Sequence, residues 1–141
     1  THGMTGAEAL DIMLRRQSSL SKRSDAVAST GSSTSRVLSV ASGRAVGMSN
    51  KWGGGQYCSI LTGVGLVGCG IYNTDVADEF GFAFALCKGT PASPLVEPED
   101  LYKAKVSITS KAARDMGITH GMTGAEALDV MLIAEKCRSR L

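Results

Sequence analysis

Cys69 and His120 are the residues of this chain whose types could form a nucleophile and its base. Thiol chemistry needs the imidazole within hydrogen-bond reach of the sulfur, and backbone N–H groups, here those near Gly70, to stabilise a developing negative charge. His120 precedes a predicted helix, where exposure to solvent explains it equally well. We therefore favour a structural, buried Cys69, assign no catalytic residue, and keep Cys69 and His120 as the candidates for a thiol-dependent enzyme.

A glycine-rich stretch is the candidate ligand-binding site. Consecutive glycines can present backbone N–H groups to an anion, and a nearby lysine can add positive charge. A loop between strands, or backbone packing at a subunit contact, explains the glycines without a ligand, and we favour that interpretation. The candidate ligand-binding residues are Lys51, Trp52, Gly53, Gly54, Gly55 and Lys88.

The glycines from Gly63 to Gly70 match G-x-G-x-x-G, the spacing of a dinucleotide-binding loop. Such a loop must open a helix, whereas Leu66–Tyr72 is apolar and typical of a strand. We interpret these glycines as part of a hairpin with close backbone approach. We expect no cofactor.

The cysteines are too dispersed to predict a metal site. No two form a C-x-x-C pair, and His2 and His120 are the histidines available to help. We expect no metal and interpret the cysteines as reduced thiols of an intracellular protein, although spacing leaves disulfides open. They are Cys58, Cys69, Cys87 and Cys137.

Charge and hydropathy exclude some partners. Residues 36–141 carry eleven basic and ten acidic side chains, a net charge of +1, which is too little to favour a duplex nucleic acid. No apolar run is long enough to cross a membrane, so we expect a soluble protein with no nucleic-acid or membrane partner.

The chain repeats itself at an offset of 118 residues. Thr1–Leu14 and Thr119–Leu132 are identical at thirteen of fourteen positions, with Ile12 replaced by Val130. The repeat indicates a tandem array, in which 1–14 is the terminal helix of a preceding unit. Arg15–Ser35 has eight serines in 21 residues and predicts a flexible linker. Its composition also resembles an organelle transit peptide.

The domain is expected to span 36–141 with an α+β fold. The pattern predicts a small mixed or antiparallel sheet with N-terminal hairpins and two to three short helices. Strands are predicted at 36–40, 44–49, 57–61, 66–72, 82–87 and 105–108, and short helices at 75–80, 98–101 and 110–116.

An amphipathic C-terminal helix is expected from Gly124 to about Cys137. Thr123 and Glu126 have the spacing of a capping box. The apolar residues that follow recur at helical spacing and predict the buried face. They are Ala127, Leu128, Met131 and Leu132, with Ile133 alongside.

Three blocks resemble the YunC-like family, small bacterial and archaeal proteins of unknown function. They are Gly68-Cys69-Gly70, Glu99–Leu101 with Ala104–Val106, and Met116–Ile118 with Gly121–Gly124 and Glu126–Leu128. The resemblance covers 36–132. It implies an α+β fold and a tetramer that forms through the N-terminal β region, and it implies no established activity. The WGGGQ stretch and the long proline-rich loop depart from the family's usual pattern.

The leading hypothesis from sequence is a non-catalytic, oligomeric α+β module that binds a small ligand. The alternatives are a thiol-dependent enzyme that uses Cys69 with His120, and an assembly subunit of a larger complex.

If 1–35 contributes nothing to the core, deleting Thr1–Ser35 should leave the melting temperature nearly unchanged. Thermal unfolding followed by circular dichroism measures this, and a large drop would contradict the assigned boundary.

Overall fold

The computed structural model describes residues 32–139. Its strands are β1 Ser32–Val40, β2 Gly43–Trp52, β3 Gly55–Leu61, β4 Gly65–Cys69, β5 Ala83–Cys87 and β6 Val106–Thr109. Its helices are α1 Thr74–Phe80, a 3-10 helix Pro98–Tyr102, α2 Lys111–Asp115 and α3 Gly124–Ser139. The six strands follow one another in the sheet in chain order. The predicted α+β class is therefore confirmed, whereas the repeated segment 1–14 lies outside the described residues.

The structure divides into two units. The described part of the larger unit consists of residues 33–50 and 56–139, and that of the smaller unit consists of Ser32 and the turn Lys51–Gly55. The buried apolar core belongs to the larger unit. The two units are therefore described separately.

Strand β1 begins at Ser32, four residues before the start expected at Arg36. The hydroxyl groups of Thr34 in β1 and Ser49 in β2 share a hydrogen bond of 2.7 Å. Arg36 bonds the Glu99 carboxylate and links β1 to the 3-10 helix. A deletion that respects this strand therefore ends at Gly31, because one that ends at Ser35 also removes the first four residues of β1.

Strands β4 and β5 are parallel neighbours, and the connection between them contains α1. Parallel strands require such a crossover, because a tight hairpin returns the chain in the opposite direction. The Asn73 side chain caps α1 by accepting a 2.8 Å bond from Asp75 N–H. Gly81 ends the helix at φ 74°, a conformation that glycine adopts without strain. Parallel pairing brings the last residues of β4 and β5, Cys69 and Cys87, side by side.

Helix α3 closes the core through the face that the sequence predicts. The Thr123 hydroxyl accepts a 3.2 Å bond from Glu126 N–H and so caps the helix. Ala127, Leu128, Met131 and Leu132 are buried. The placement of Ile133 beside them was wrong, because its side chain is 55 % exposed.

Gly124, the first residue of α3, has no room for a side chain. A Cβ atom there would lie 1.8 Å from the Leu101 carbonyl oxygen, which is backbone and cannot rotate away. The Gly124 N–H also donates a 2.9 Å bond to the Ala104 carbonyl. The glycine therefore allows the first turn of α3 to contact the 3-10 helix directly.

We expect Gly124→Ala to destabilise the fold by about 3 kcal/mol, because α3 must move away from the 3-10 helix. Thermal unfolding should show a fall of roughly 10 °C or more. Gly70→Ala is the matched control, since its Cβ would have a single neighbour at 4.0 Å. Equal melting temperatures for the two variants would contradict this explanation.

Candidate functional site

Three cysteines lie in a row across neighbouring strands. The register pairs Cys69 of β4 with Cys87 of β5. On the other side of β4, Ser59 pairs with Gly68, so the next antiparallel pair is Cys58 with Cys69. Directly opposite residues project from the same face of a sheet. Cys58, Cys69 and Cys87 therefore form one row, the cysteine row, on the buried face.

The members of the cysteine row differ in access to solvent. Cys58 and Cys87 are fully buried, whereas Cys69 is 8 % exposed. Cys69 is the last residue of β4, and the chain continues through exposed Gly70 and Ile71. Of the three cysteines, Cys69 is therefore the one with some exposed surface.

Hydrogen bonds concentrate negative charge on Cys69. The Cys58 thiol donates to the Cys69 sulfur and lowers the pKa of Cys69 to about 6. Burial opposes this effect, and backbone N–H groups, including that of Ile71, support it. The same hydrogen bond, together with burial, raises the pKa of Cys58 far above its ordinary value. Burial, reinforced by the charge on Cys69, raises the pKa of Cys87 to about 11. Of the three thiols, Cys69 is therefore the one whose pKa is lowered and whose thiolate is favoured.

The first turn of α3 covers the Cys87 end of the row. A Cβ atom on Gly124 would lie 3.5 Å from Cys87 Sγ. The same sulfur lies 4.0 Å from the Ala104 carbonyl oxygen, to which its thiol donates. Cys87 is thus enclosed by the residues that attach α3 to the sheet.

Aromatic rings pack against Gly68, the residue before Cys69. A Cβ on Gly68 would lie 2.7 Å from the Tyr72 ring, so glycine lets this ring lie against β4. Tyr72 meets Tyr57 and Phe84 edge to face, with ring centroids 6.2 and 6.0 Å away. Successive strand residues point to opposite faces, so this packing lies on the face of the sheet opposite to the cysteine row, and it holds the chain that leaves Cys69 against that face.

The thiol partner of Cys69 in the structure is Cys58, which was not a candidate from the sequence. His120 is exposed, in the connection between α2 and α3. A signal for Cys58 was available: the turn at 62–65 joins two predicted strands, and counting back from it places Cys58 opposite Cys69.

The glycine candidates form the turn between β2 and β3. Gly53, Gly54 and Gly55 are exposed, and a Cβ on Gly55 would lie 2.8 Å from the Trp52 indole ring. Glycine therefore allows the indole to lie over its own turn. Lys88 follows β5 in the larger unit and is exposed.

The described range, 32–139, holds no cluster of three or more histidine, cysteine or acidic side chains arranged to bind a metal ion. Within the same range, no helix combines the length and apolar character that spanning a membrane requires.

The comparisons with known proteins give similarity without an activity. The model of a family described as Domain of unknown function (DUF1805) matches residues 68–131. A crystal structure of a protein of unknown function from Thermoplasma acidophilum is similar, with a TM-score of 0.62 and 19 % identity. That similarity covers 72 % of this chain and 94 % of the archaeal chain, and it supports the fold. No curated protein matches the sequence.

Proposed function

We propose that this domain is a thiol-dependent module in which Cys69 is the reacting group. The observation that carries the proposal is the placement of Cys58 directly opposite Cys69, with its thiol donating to the Cys69 sulfur. Reactive cysteines need a stabilised thiolate with some access to solvent, and Cys69 is the member of its row that combines the two.

The chemistry follows from the thiolate. The Cys69 sulfur forms a bond to an electrophilic carbon of a small molecule, and the leaving group departs with its bonding electron pair and takes a proton from water. Cys58 acts as a positioning residue, because its thiol stabilises the charge before attack. Because residue Cys69 is only 8 % exposed, small electrophiles are favoured over bulky ones.

The geometry also supports a second proposal, self-association through the N-terminal β region. Val37 on β1 and Val46 on β2 are 66 % and 40 % exposed. Both line a surface groove of about 330 Å³. The resemblance to the YunC-like family implies oligomers formed through this region. We propose that a second copy of the chain covers these valines, and that the domain is a homo-oligomer, a tetramer if it follows that family.

We also propose that the domain belongs to the YunC-like family and that it comes from a tandem array. The three blocks that carry the YunC-like resemblance all lie within the matched residues 68–131, which supports that assignment. The match of 1–14 with 119–132 at thirteen of fourteen positions supports a tandem array.

The thiol proposal predicts the pH dependence of Cys69 alkylation. In the unmodified protein, the rate should rise with pH through a midpoint near 6, because the thiolate is the nucleophile. Cys58→Ala removes the donor, so the midpoint should rise toward about 8.5 and the thiolate fraction, and with it the rate at pH 7, should fall roughly thirtyfold. Peptide mass spectrometry after brief treatment with iodoacetamide measures both.

Cys58→Ser is the matched variant, since its hydroxyl retains a donor and should keep part of the effect. Exposed Cys137 serves as the internal reference in every sample. A Cys69 midpoint that is the same with and without the Cys58 thiol would contradict the proposal.

The self-association proposal predicts that Val37→Lys with Val46→Lys lowers the molar mass in solution, because buried unpaired lysines are costly. Size-exclusion chromatography with light scattering measures the mass. Ile133→Lys is the control, since Ile133 is equally apolar and 55 % exposed on α3. A monomeric unmodified protein would rule the proposal out.

A further inference from the structure

The chain contains two copies of the segment that closes its core. We name Thr119–Leu132 the closing segment and Thr1–Leu14 its duplicate. Their single difference, Val130 against Ile12, falls at a position that is half-buried in the closing segment. The duplicate therefore has the same residue types as those that make the other contacts of the closing segment.

Backbone hydrogen bonds attach the closing segment to the start of β6. Val106 N–H donates to the Met122 carbonyl at 2.7 Å, and Gly121 N–H donates to the Val106 carbonyl at 2.9 Å. Gly121 has φ 91°, which favours glycine, and the duplicate carries Gly3 at that position. Both the closing segment and the duplicate therefore carry the glycine that this attachment to β6 requires.

The groove that receives α3 is equally selective. Its entrance requires a residue without a side chain, because the Leu101 carbonyl lies where a Cβ would be. Gly6 meets this requirement in the duplicate. The buried apolar residues of the closing segment also have identical counterparts. These counterparts are Ala9, Leu10, Met13 and Leu14.

The connecting chain is long enough for the duplicate to reach the groove of its own domain. Ser42 bonds Asp129 of α3, so the end of β1 lies beside the groove. The path from Ser33 to Ser42 is roughly 30 Å in an extended strand. Residues 15–32 can span up to about 60 Å. A tethered segment also has a local concentration in the millimolar range, which favours binding within one chain.

We propose that the duplicate, Thr1–Leu14, competes with the closing segment for the α3 groove of the same chain. Contacts made by residues outside the repeat set the ratio of chains in which α3, rather than the duplicate, occupies the groove. Glu135 accepts a 3.1 Å bond from Gly63 N–H, and the repeat ends at Leu132. One such bond supports a ratio of about fivefold in favour of α3. This inference does not depend on the thiol proposal, although the exchange replaces the turn that covers Cys87.

Paired substitutions in the full chain test the exchange. Leu128→Asp with Met131→Asp disables the closing segment, and Leu10→Asp with Met13→Asp disables the duplicate in the matching positions. We expect the first pair to keep a cooperative thermal transition, lowered by several degrees, and the second pair to match the unmodified protein. All four substitutions together should abolish the transition. If the first pair loses the transition as completely as all four together, the proposal is overturned.

Protein concentration distinguishes the source of the occupant. The transition of the first pair should be unchanged over a hundredfold dilution, because the duplicate acts within its own chain; a transition lost on dilution would overturn that assignment.

A cross-link gives a second measurement that does not depend on the Asp substitutions. Asp11 is the counterpart of Asp129, so Ser42→Cys with Asp11→Cys, in a Cys137→Ser background, should form a disulfide within one chain under mild oxidation. The same pair of cysteines with Leu10→Lys and Met13→Lys is the control: it keeps the tether length, removes the apolar residues of the duplicate and should not cross-link. Equal yields in the two variants would overturn the proposal.

Discussion

The close contact between Gly124 and the Leu101 carbonyl is the constraint on which the rest of the structure depends. It lets the first turn of α3 reach the 3-10 helix, and the Gly124 N–H bonds Ala104 just before β6. The apolar residues that follow then cover the sheet. Placing a charge on this buried face of the sheet costs free energy, so a charged side chain there needs hydrogen-bond donors from its neighbours.

The cysteine row shows how burial and hydrogen bonding oppose each other on that face. Burial alone raises the pKa of a thiol, as it does for Cys87. Cys69 departs from this trend because a neighbouring thiol and backbone N–H groups all donate to its sulfur. A second thiolate beside it would face like-charge repulsion without comparable donors. The row therefore concentrates its reactivity on the sulfur nearest to solvent.

Local signals predicted the elements well. Thr123 caps α3, as its spacing from Glu126 predicted, because its hydroxyl acts on a backbone group a few positions away. The predictions from sequence were wrong where tertiary packing determines the end of a strand or the burial of a side chain. The predicted strand 66–72 ends at Cys69, since the chain turns at Gly70. Ile133 lies outside the buried face and is 55 % exposed, although its neighbours Met131 and Leu132 are buried.

The sequence by itself determined the α+β class, the cap of α3, the apolar face of α3 and the duplication of its N-terminal half. These depend on residue type and spacing over a few turns of chain. Only the tertiary structure decided that Cys58 is the partner of Cys69, and that Gly124 must lack a side chain. The physical reason is that both depend on which atoms of distant segments meet: strand register sets the thiol pair, and the position of the Leu101 carbonyl excludes the Cβ.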